Sequence, residues 1–358
     1  MTLTKFRISN FRCLDGVELL AHPDLNLIIG NNAAGKTSLL EAIYYLGRGR
    51  SFRGGSNREL VKNGADSFTL FGEVADSGTE PASIHKLGCE VSRGTKTLRL
   101  DGGNAKSADL VTALPVQAID PEIHELIQGG PEVRRRFLDW GVFHVEHQYI
   151  NAWRSYKAAL KQRNAALRAG QNPSNVSIWN QQLISNGNSV DLFRKSFISS
   201  FNSRLVSIVR EVFPFDLKIE FVSGWKDGLT LEEALNDSAQ RDQVLQSTQV
   251  GPHRADLKFR IDDRSAKHRL SRGQQKLLGA ALVIAQTHFV AESMNSRVVL
   301  LVDDPAAELD PEHQEHLFRL LQTVPAQLFI TSLDPSGVSW ENVGKSFSIQ
   351  AGKLSPLL

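Results

Sequence analysis

The sequence predicts an α/β fold: a mixed sheet around a strand, glycine-rich turn and helix, with an antiparallel accessory sheet and an inserted helical lobe. Three observations lead there. An almost wholly apolar run, "LNLIIG", passes directly into "GNNAAGKT" and then into an amphipathic segment, the order in which a covered strand hands over to a helix. Short alternating segments, "FTLFGEV", "KLGCEVS" and "KTLRL", follow between residues 67 and 100 with Gly-, Asp- and Ser-rich joints, the pattern of antiparallel strands. From residue 130 to 213 the period changes to that of long helices, interrupted at "GQNPSNVS",.

Taken in chain order, "LTKFRISNF" reads as a first strand ahead of "LNLIIG". In "KTSLLEAIYYLG", Leu39, Leu40, Ile43 and Leu46 share one helical face, and Gly47 stands where a C-terminal cap is expected,. After the helical stretch, strand patterns resume at "LKIEFVS" and "ADLKFRID". A small-residue turn then opens an apolar helix, "LSRGQQKLLGAAL", followed by the apolar strand "RVVLLVDD" and a last strand "AQLFITS". The expected organisation is a discontinuous α/β head, residues 1–125 and 216–358, with residues 126–215 inserted as a helical lobe.

Composition bounds the partners. A chain of 358 residues with 41% hydrophobic and 22% charged content can build a sizeable core, which argues against disorder,. Its formal charge of +2 is too small to hold nucleic acid by global field, so such a partner must meet a local basic patch,. Two cysteines, Cys13 and Cys89, form neither a disulfide framework nor a zinc pattern, which fits a reducing compartment,. With no signal-peptide pattern at the N-terminus and no apolar run expected to approach the roughly 20 residues that span a bilayer, the expectation is a soluble cytoplasmic protein without a membrane partner.

Residues 30–37 fit G-x-x-x-x-G-K-[ST], between an apolar strand and an amphipathic helix as that motif requires,. Gly30, Asn31, Asn32, Ala33, Ala34 and Gly35 would bring backbone N–H groups close around phosphates. Lys36 would reach the β- and γ-phosphates, the Thr37 hydroxyl would ligate Mg²⁺, and Ser38 completes the first helical turn,. In "VVLLVDD" five apolar residues end in two carboxylates, as a buried parallel strand does where its tip enters a ligand crevice. Asp303 is the expected Mg²⁺ holder and Asp304 the residue that orients or deprotonates an attacking water. An isolated Asp before Pro305 would otherwise read as a turn cap; the phosphate loop upstream reverses that preference.

The order phosphate loop, "LSRGQ", "DD…ELD" resembles the ATP-binding-cassette ATPases, whose signature motif "LSRGQ" matches. That resemblance implies that Ser271, Gly273 and Gln274 close over ATP bound by a second copy of the chain, an anion site at a helix start facing outward. "FRISNFRCLDG", "GGPEVRRRFLDWGVFH", "TQVGPHRADL", "LSRGQQKLL" and "LLVDDPAAELD" together resemble the RecF family of bacterial recombination mediators, related to SMC-type heads, over about residues 5–332. Asp304 where transporters mostly carry Glu, and Arg272 where they mostly carry Gly, agree with it.

What the resemblance implies is a cassette-ATPase head with ATP and Mg²⁺ as cofactors. It also implies an ATP-dependent homodimer that binds single- and double-stranded DNA at gapped junctions and works as a slow, DNA-stimulated ATPase switch. RecR, and through it RecO and the RecA recombinase, are the implied partners, in gap repair, replication and SOS induction. Gln117 in "VQAIDP" matches the loop glutamine that senses Mg²⁺ and γ-phosphate, and Asp310 in "AELD" the loop that crosses the dimer interface. Thr331 and Ser332 stand where transporters have a switch histidine, which leaves that sensor open.

Two basic stretches are candidate DNA contacts. Residues 254–276 carry eight basic residues against three acidic ones, with Arg254, Lys258 and Arg260 leading,. "GRGRSFRGG" presents Arg48, Arg50 and Arg53 on a glycine-rich loop,. Either stretch alone also reads as a solvated face, as do Arg134, Arg135 and Arg136. The competing function is the nucleotide-binding subunit of a membrane transporter, which would need a groove for a coupling helix and normally the switch histidine. An SMC-type head would need hundreds of residues of heptad repeat, absent from this chain.

Overall fold

A computed structural model describes residues 1–76, 83–92, 94–334 and 343–357. The chain forms two compact units, Met1–Ile123 with Arg272–Leu358, and His124–Ser271. In the first segment lie β1 (Thr2–Ser9), β2 (Val17–Leu20), β3 (Leu25–Ile29), α1 (Lys36–Arg48), β4 (Ser67–Asp76), β5 (Ser83–Ser92), β6 (Thr95–Leu100), β7 (Gly103–Asn104), α2 (Ser107–Ala113) and β8 (Val116–Ile119). The second unit contains α3 (Glu125–Gln128), α4 (Pro131–Val145), α5 (Tyr149–Arg168), α6 (Pro173–Ser177), α7 (Asn180–Arg210), β9 (Leu217–Val222), α8 (Leu231–Asp237), α9 (Ala239–Leu245), β10 (Asp256–Ile261), β11 (Arg264–Ser265) and α10 (Ala266–Arg269). The chain returns to the first unit with α11 (Arg272–Met294), β12 (Val298–Val302), α12 (Pro311–Thr323), β13 (Ala326–Ser332), β14 (Lys345–Gln350) and β15 (Lys353–Leu357).

Two sheets build the first unit. One has the order β15-β14-β3-β13-β12-β8, parallel from β14 to β8, with β15 antiparallel at its edge. The other, β2-β1-β4-β5-β6-β7, is antiparallel. Helix α1 packs with both: Leu39, Leu40, Ile43 and Leu46 share one cluster with Phe6, Leu70 and Val74 of the antiparallel sheet and with Ile28, Val299, Leu301 and Phe329 of the parallel one. Ten of its residues are buried, from Lys36 through Gly47, with the charged Lys36 and Glu41 among them, as befits a helix enclosed between two layers. The expected face of Leu39, Leu40, Ile43 and Leu46 is buried, and burial extends beyond it. The cap moves as well: Gly49, at φ 63°, takes the left-handed C-terminal position and returns its N–H to Tyr45 O,. Gly47 is an interior position where a Cβ would come within 2.7 Å of Leu114 O.

Helix α11 packs against β8, β12, β13 and α12. At 23 residues it is long and apolar enough to cross a membrane by length and composition, which corrects the expectation that no apolar run approaches that length. In the fold it is a core helix, with Gln275 through Thr287 buried.

The second unit extends further than the lobe expected at residues 126–215. Strands β9, β10 and β11 form its own antiparallel sheet, with β10 against α4 and β9 against α7. They bury Leu217, Ile219, Leu257, Phe259 and Ile261 there, so the head resumes at residue 272 and not at 216.

Candidate functional site

The glycine-rich turn is shaped by its backbone. Ala33 and Gly35 take left-handed φ values of 61° and 114°. Gly35 is the N-cap of α1 and offers no side chain to the helix's first N–H groups, which leaves them for an anion. Asn31, Asn32 and Ala33 are exposed while Ala34, Gly35 and Lys36 are buried. Lys36 Nζ donates to Gly30 O at 2.6 Å and to Asn31 O at 3.1 Å, holding the ammonium at the turn. Ser38 Oγ lies 3.8 Å from Cys13 Sγ.

The carboxylates at the end of β12 meet this turn. Thr37 Oγ1 donates to Asp303 Oδ2 at 2.7 Å, and Thr331 Oγ1 donates to Asp303 Oδ1 at 2.7 Å. Thr331 Oγ1 also accepts from Asp304 N at 2.9 Å. One carboxylate therefore joins α1, β12 and β13 at one end of the parallel sheet. Thr331 is fully buried and acts on Asp303 and Asp304 where sequence had offered it as a switch-histidine replacement. Ser332 Oγ donates instead to Asp334 O. Asp304 has φ 46°, uncommon for a non-glycine residue. Burial, and then the neighbouring Asp303, push its carboxyl up from the ordinary aspartate range, with Lys36 and Lys276 pulling the other way,. A hydroxyl beside a carboxylate is the hard-oxygen pair that suits Mg²⁺ with phosphate and water as its other ligands.

Gln117 does not join this group. It lies within β8, level with Leu300, and donates through Nε2 to Gln286 Oε1 on α11 at 2.7 Å. Val116, its neighbour, faces Gly47 of α1. Side chains alternate along a strand, so Gln117 faces α11, opposite the side on which Asp303 meets Thr37. Gln117 is thus a strand residue held in the core, and the structure does not bring it to Thr37 and Asp303. Asp310 caps α12, accepting from His313 N at 2.9 Å.

Ser271 is exposed and immediately precedes α11; Gly273 and Gln274 lie partly exposed in the first turn of that helix. Arg272, also exposed, places Nε 3.6 Å from Glu308 Oε2.

Among the candidate DNA contacts the structure separates spent from available charge. Arg48 is the last residue of α1, its guanidinium 5.5 Å from the Tyr44 ring centre and its pKa lowered chiefly by burial. It is corrected to a packing residue. Lys258 and Arg260 share the Glu220 carboxylate at 3.6 and 2.9 Å, so their charge is largely answered within the strand pair. Arg134 forks onto Asp256, and Arg136 lies 3.9 Å from Glu132. Arg50, Arg53 and Arg254 are exposed and form no ion pair with a carboxylate among the described residues. The loop bearing Arg50 and Arg53 is anchored: Phe52 packs edge-on against Tyr44, and Ser51 Oγ bonds Glu41 and accepts from Arg53 N.

Sequence reasoning missed the role of three arginines that fix "TQVGPHRADL" in the second unit, of which Arg163 and Arg194 are buried and Arg135 half-buried. Arg163 of α5 donates to Asp242 and Thr248, Arg194 of α7 to Asp139 and Pro252 O, and Arg135 of α4 to Ala255 O. A helical arginine reads as solvent-facing unless its carboxylate partner is known, and these partners lie far away in sequence.

Comparison with known proteins identifies the family and the fold. Residues 2–351 match the RecF/RecN/SMC N terminal domain family. The DNA replication and repair protein RecF of Shewanella baltica (strain OS223) is 38% identical over 341 residues, 94% of each chain. That of Pseudomonas aeruginosa (strain LESB58) is 38% identical over 363 residues, 99% of this chain and 98% of its own. A solved structure of the recombination mediator protein RecF with ATP, in the RecFOR pathway, superposes with a TM-score of 0.89 at 27% identity, covering 100% of this chain and 98% of that one. An Smc head bound to the C-terminal winged-helix domain of ScpA shares the fold at a TM-score of 0.61 and 14% identity. With the phosphate loop, the paired aspartates and the signature helix in one unit, and relatives matched over nearly their whole length, the chain belongs to the RecF family.

Proposed function

We propose that this chain binds ATP with Mg²⁺ at the turn of residues 30–38 and dimerises on it. In that dimer Ser271, Gly273 and Gln274 of one copy close over the γ-phosphate held by the other. The observation that carries the reading is the Thr37–Asp303–Thr331 chain of hydrogen bonds, which locks the phosphate turn to the paired carboxylates. Bound Mg²⁺ would be held by Thr37 and Asp303 and would neutralise charge on the phosphates. Asp304, with its raised pKa, accepts the proton of the attacking water. Among the described residues no transporter-type switch histidine enters this hydrogen-bonded cluster, in keeping with slow hydrolysis to ADP and phosphate that serves as a switch. The soluble dimer acts on DNA in the cytoplasm, at single-strand gaps beside duplex, and serves recombinase loading with RecR, RecO and RecA, replication and SOS induction. Contact is by charge and shape, through Arg50, Arg53 and Arg254.

Sedimentation with and without ATP, Mg²⁺ and gapped DNA tests this. The dimer is expected only with nucleotide. Lys36→Ala should lose ATP affinity by roughly 100-fold or more, and Ser271→Ala should keep ATP binding while losing association. A wild-type monomer at every concentration with ATP and Mg²⁺ would refute the dimer.

A further inference from the structure

Lys276 lies in the second turn of α11, in a stretch where Gln275 and Leu277 through Thr287 are all buried. It is only 4% exposed, and a buried ammonium is costly unless its donors are taken up. Its Nζ donates to Ala307 O, in the segment that runs from Asp304 to the α12 cap Asp310. The charged groups around it are Glu308, Asp304 and Asp120, which favour the ammonium, and Arg272, which opposes it; burial is the largest influence and lowers its pKa.

One turn earlier, Arg272 approaches the Glu308 carboxylate, and a Cβ on Gly273 would lie 3.8 Å from Glu308 O. The start of the signature helix thus rests on residues 307 and 308. From the other side, Gln314 of α12 donates to Ala306 O and Leu309 O. The suspended segment carries two non-glycine residues in left-handed conformations, Asp304 at 46° and Glu308 at 64°. Such conformations persist where surrounding contacts over-determine them.

We infer that Lys276 is a positioning residue that ties the signature helix to the loop of Asp304 in the same chain, so that engagement of a second copy's nucleotide at the helix start sets the catalytic carboxylate. This rests on the dimer reading above. The ammonium does not touch the nucleotide; it acts through Ala307 and through its charge on the loop. It also gives Arg272 a place, as the exposed and solvent-screened member of the same tether.

The test measures hydrolysis per chain and ATP-driven association over the same protein concentrations. Wild-type turnover is expected to climb as the dimer forms. In Lys276→Met, ATP affinity and association should stay within about 3-fold of wild type while turnover at full association falls about 10-fold or more with KM unchanged. Lys276→Arg, which keeps a charged donor for Ala307 O, should restore the climb. If Lys276→Met does not fold, Lys276→Gln, which keeps a donor without charge, is held to the same criteria. Variant turnover that tracks association as in wild type overturns the inference, as does parallel loss of association, ATP affinity and turnover. Wild-type turnover indifferent to association refutes the dimer reading itself.

Discussion

Asp303 is the residue on which the site turns. Both of its oxygens are spoken for, one by Thr37 and one by Thr331, and the second hydroxyl also fixes the backbone of Asp304. Thr331→Val keeps the shape and removes both bonds. We expect a stability loss of about 1–3 kcal/mol and a clear fall in turnover with nucleotide affinity little changed, read by thermal unfolding beside steady-state hydrolysis. Turnover and stability equal to wild type would show that Asp303 needs no second anchor. The sequence made Lys36, Thr37 and Asp303 legible because fixed spacing and a flanking strand define them. It could not give Thr331 its role, which arises only because β13 lies beside β12 with Val302 level with Ile330. Gln117 is named through the family resemblance alone, and a motif match does not say that the side chain pairs with Gln286 in the core.

At the level of elements, α4, α5 and α7 each contribute an arginine to the segment from Thr248 to Ala255. Within it His253 Nε2 faces Thr248 O at 3.0 Å and Nδ1 faces Tyr156 Oη at 2.6 Å. The carbonyl can only accept, so Nε2 carries the proton and Nδ1 accepts from Tyr156, a neutral imidazole. Burial, assisted by Arg254, Arg135 and Arg163, lowers its pKa from 6.5 to about 4. The unfolded chain therefore binds this proton first on acidification. The contribution is fully present above pH 6.5, declines toward pH 4 and amounts to about 3 kcal/mol at most. His253→Asn should flatten that part of the stability curve in denaturant titrations, and equal slopes in both proteins would contradict it. The helices of this unit were readable from period alone. Its sheet was not, because a strand pattern such as "ADLKFRID" says nothing about which sheet it joins; here Leu257 and Phe259 are buried in the helical unit.

For the molecule as a whole, the small net charge means that the proposed contact with DNA would rest on a few cations that no carboxylate answers. Binding should weaken steeply with salt, and Arg50→Ala, Arg53→Ala or Arg254→Ala should each flatten the log–log salt slope by about one. Lys258→Ala and Arg260→Ala should leave it nearly unchanged, because Glu220 already answers their charge. Equal effects from all five would mean that ion pairing within the fold does not govern contact. The interrupted layout of the first unit has a further consequence, for biosynthesis. Strand β3, which leads into the phosphate turn, has β13 and β14 as its neighbours, and Leu3 N bonds Gln327 Oε1 across 324 positions. During translation the second unit can close on itself while β3 waits without either partner, since closure over so long a loop must await the last strands. The motif most readable in the gene is thus among the last parts of the protein to acquire its shape, and a nascent chain lacking its final strands carries the letters of the site without the site.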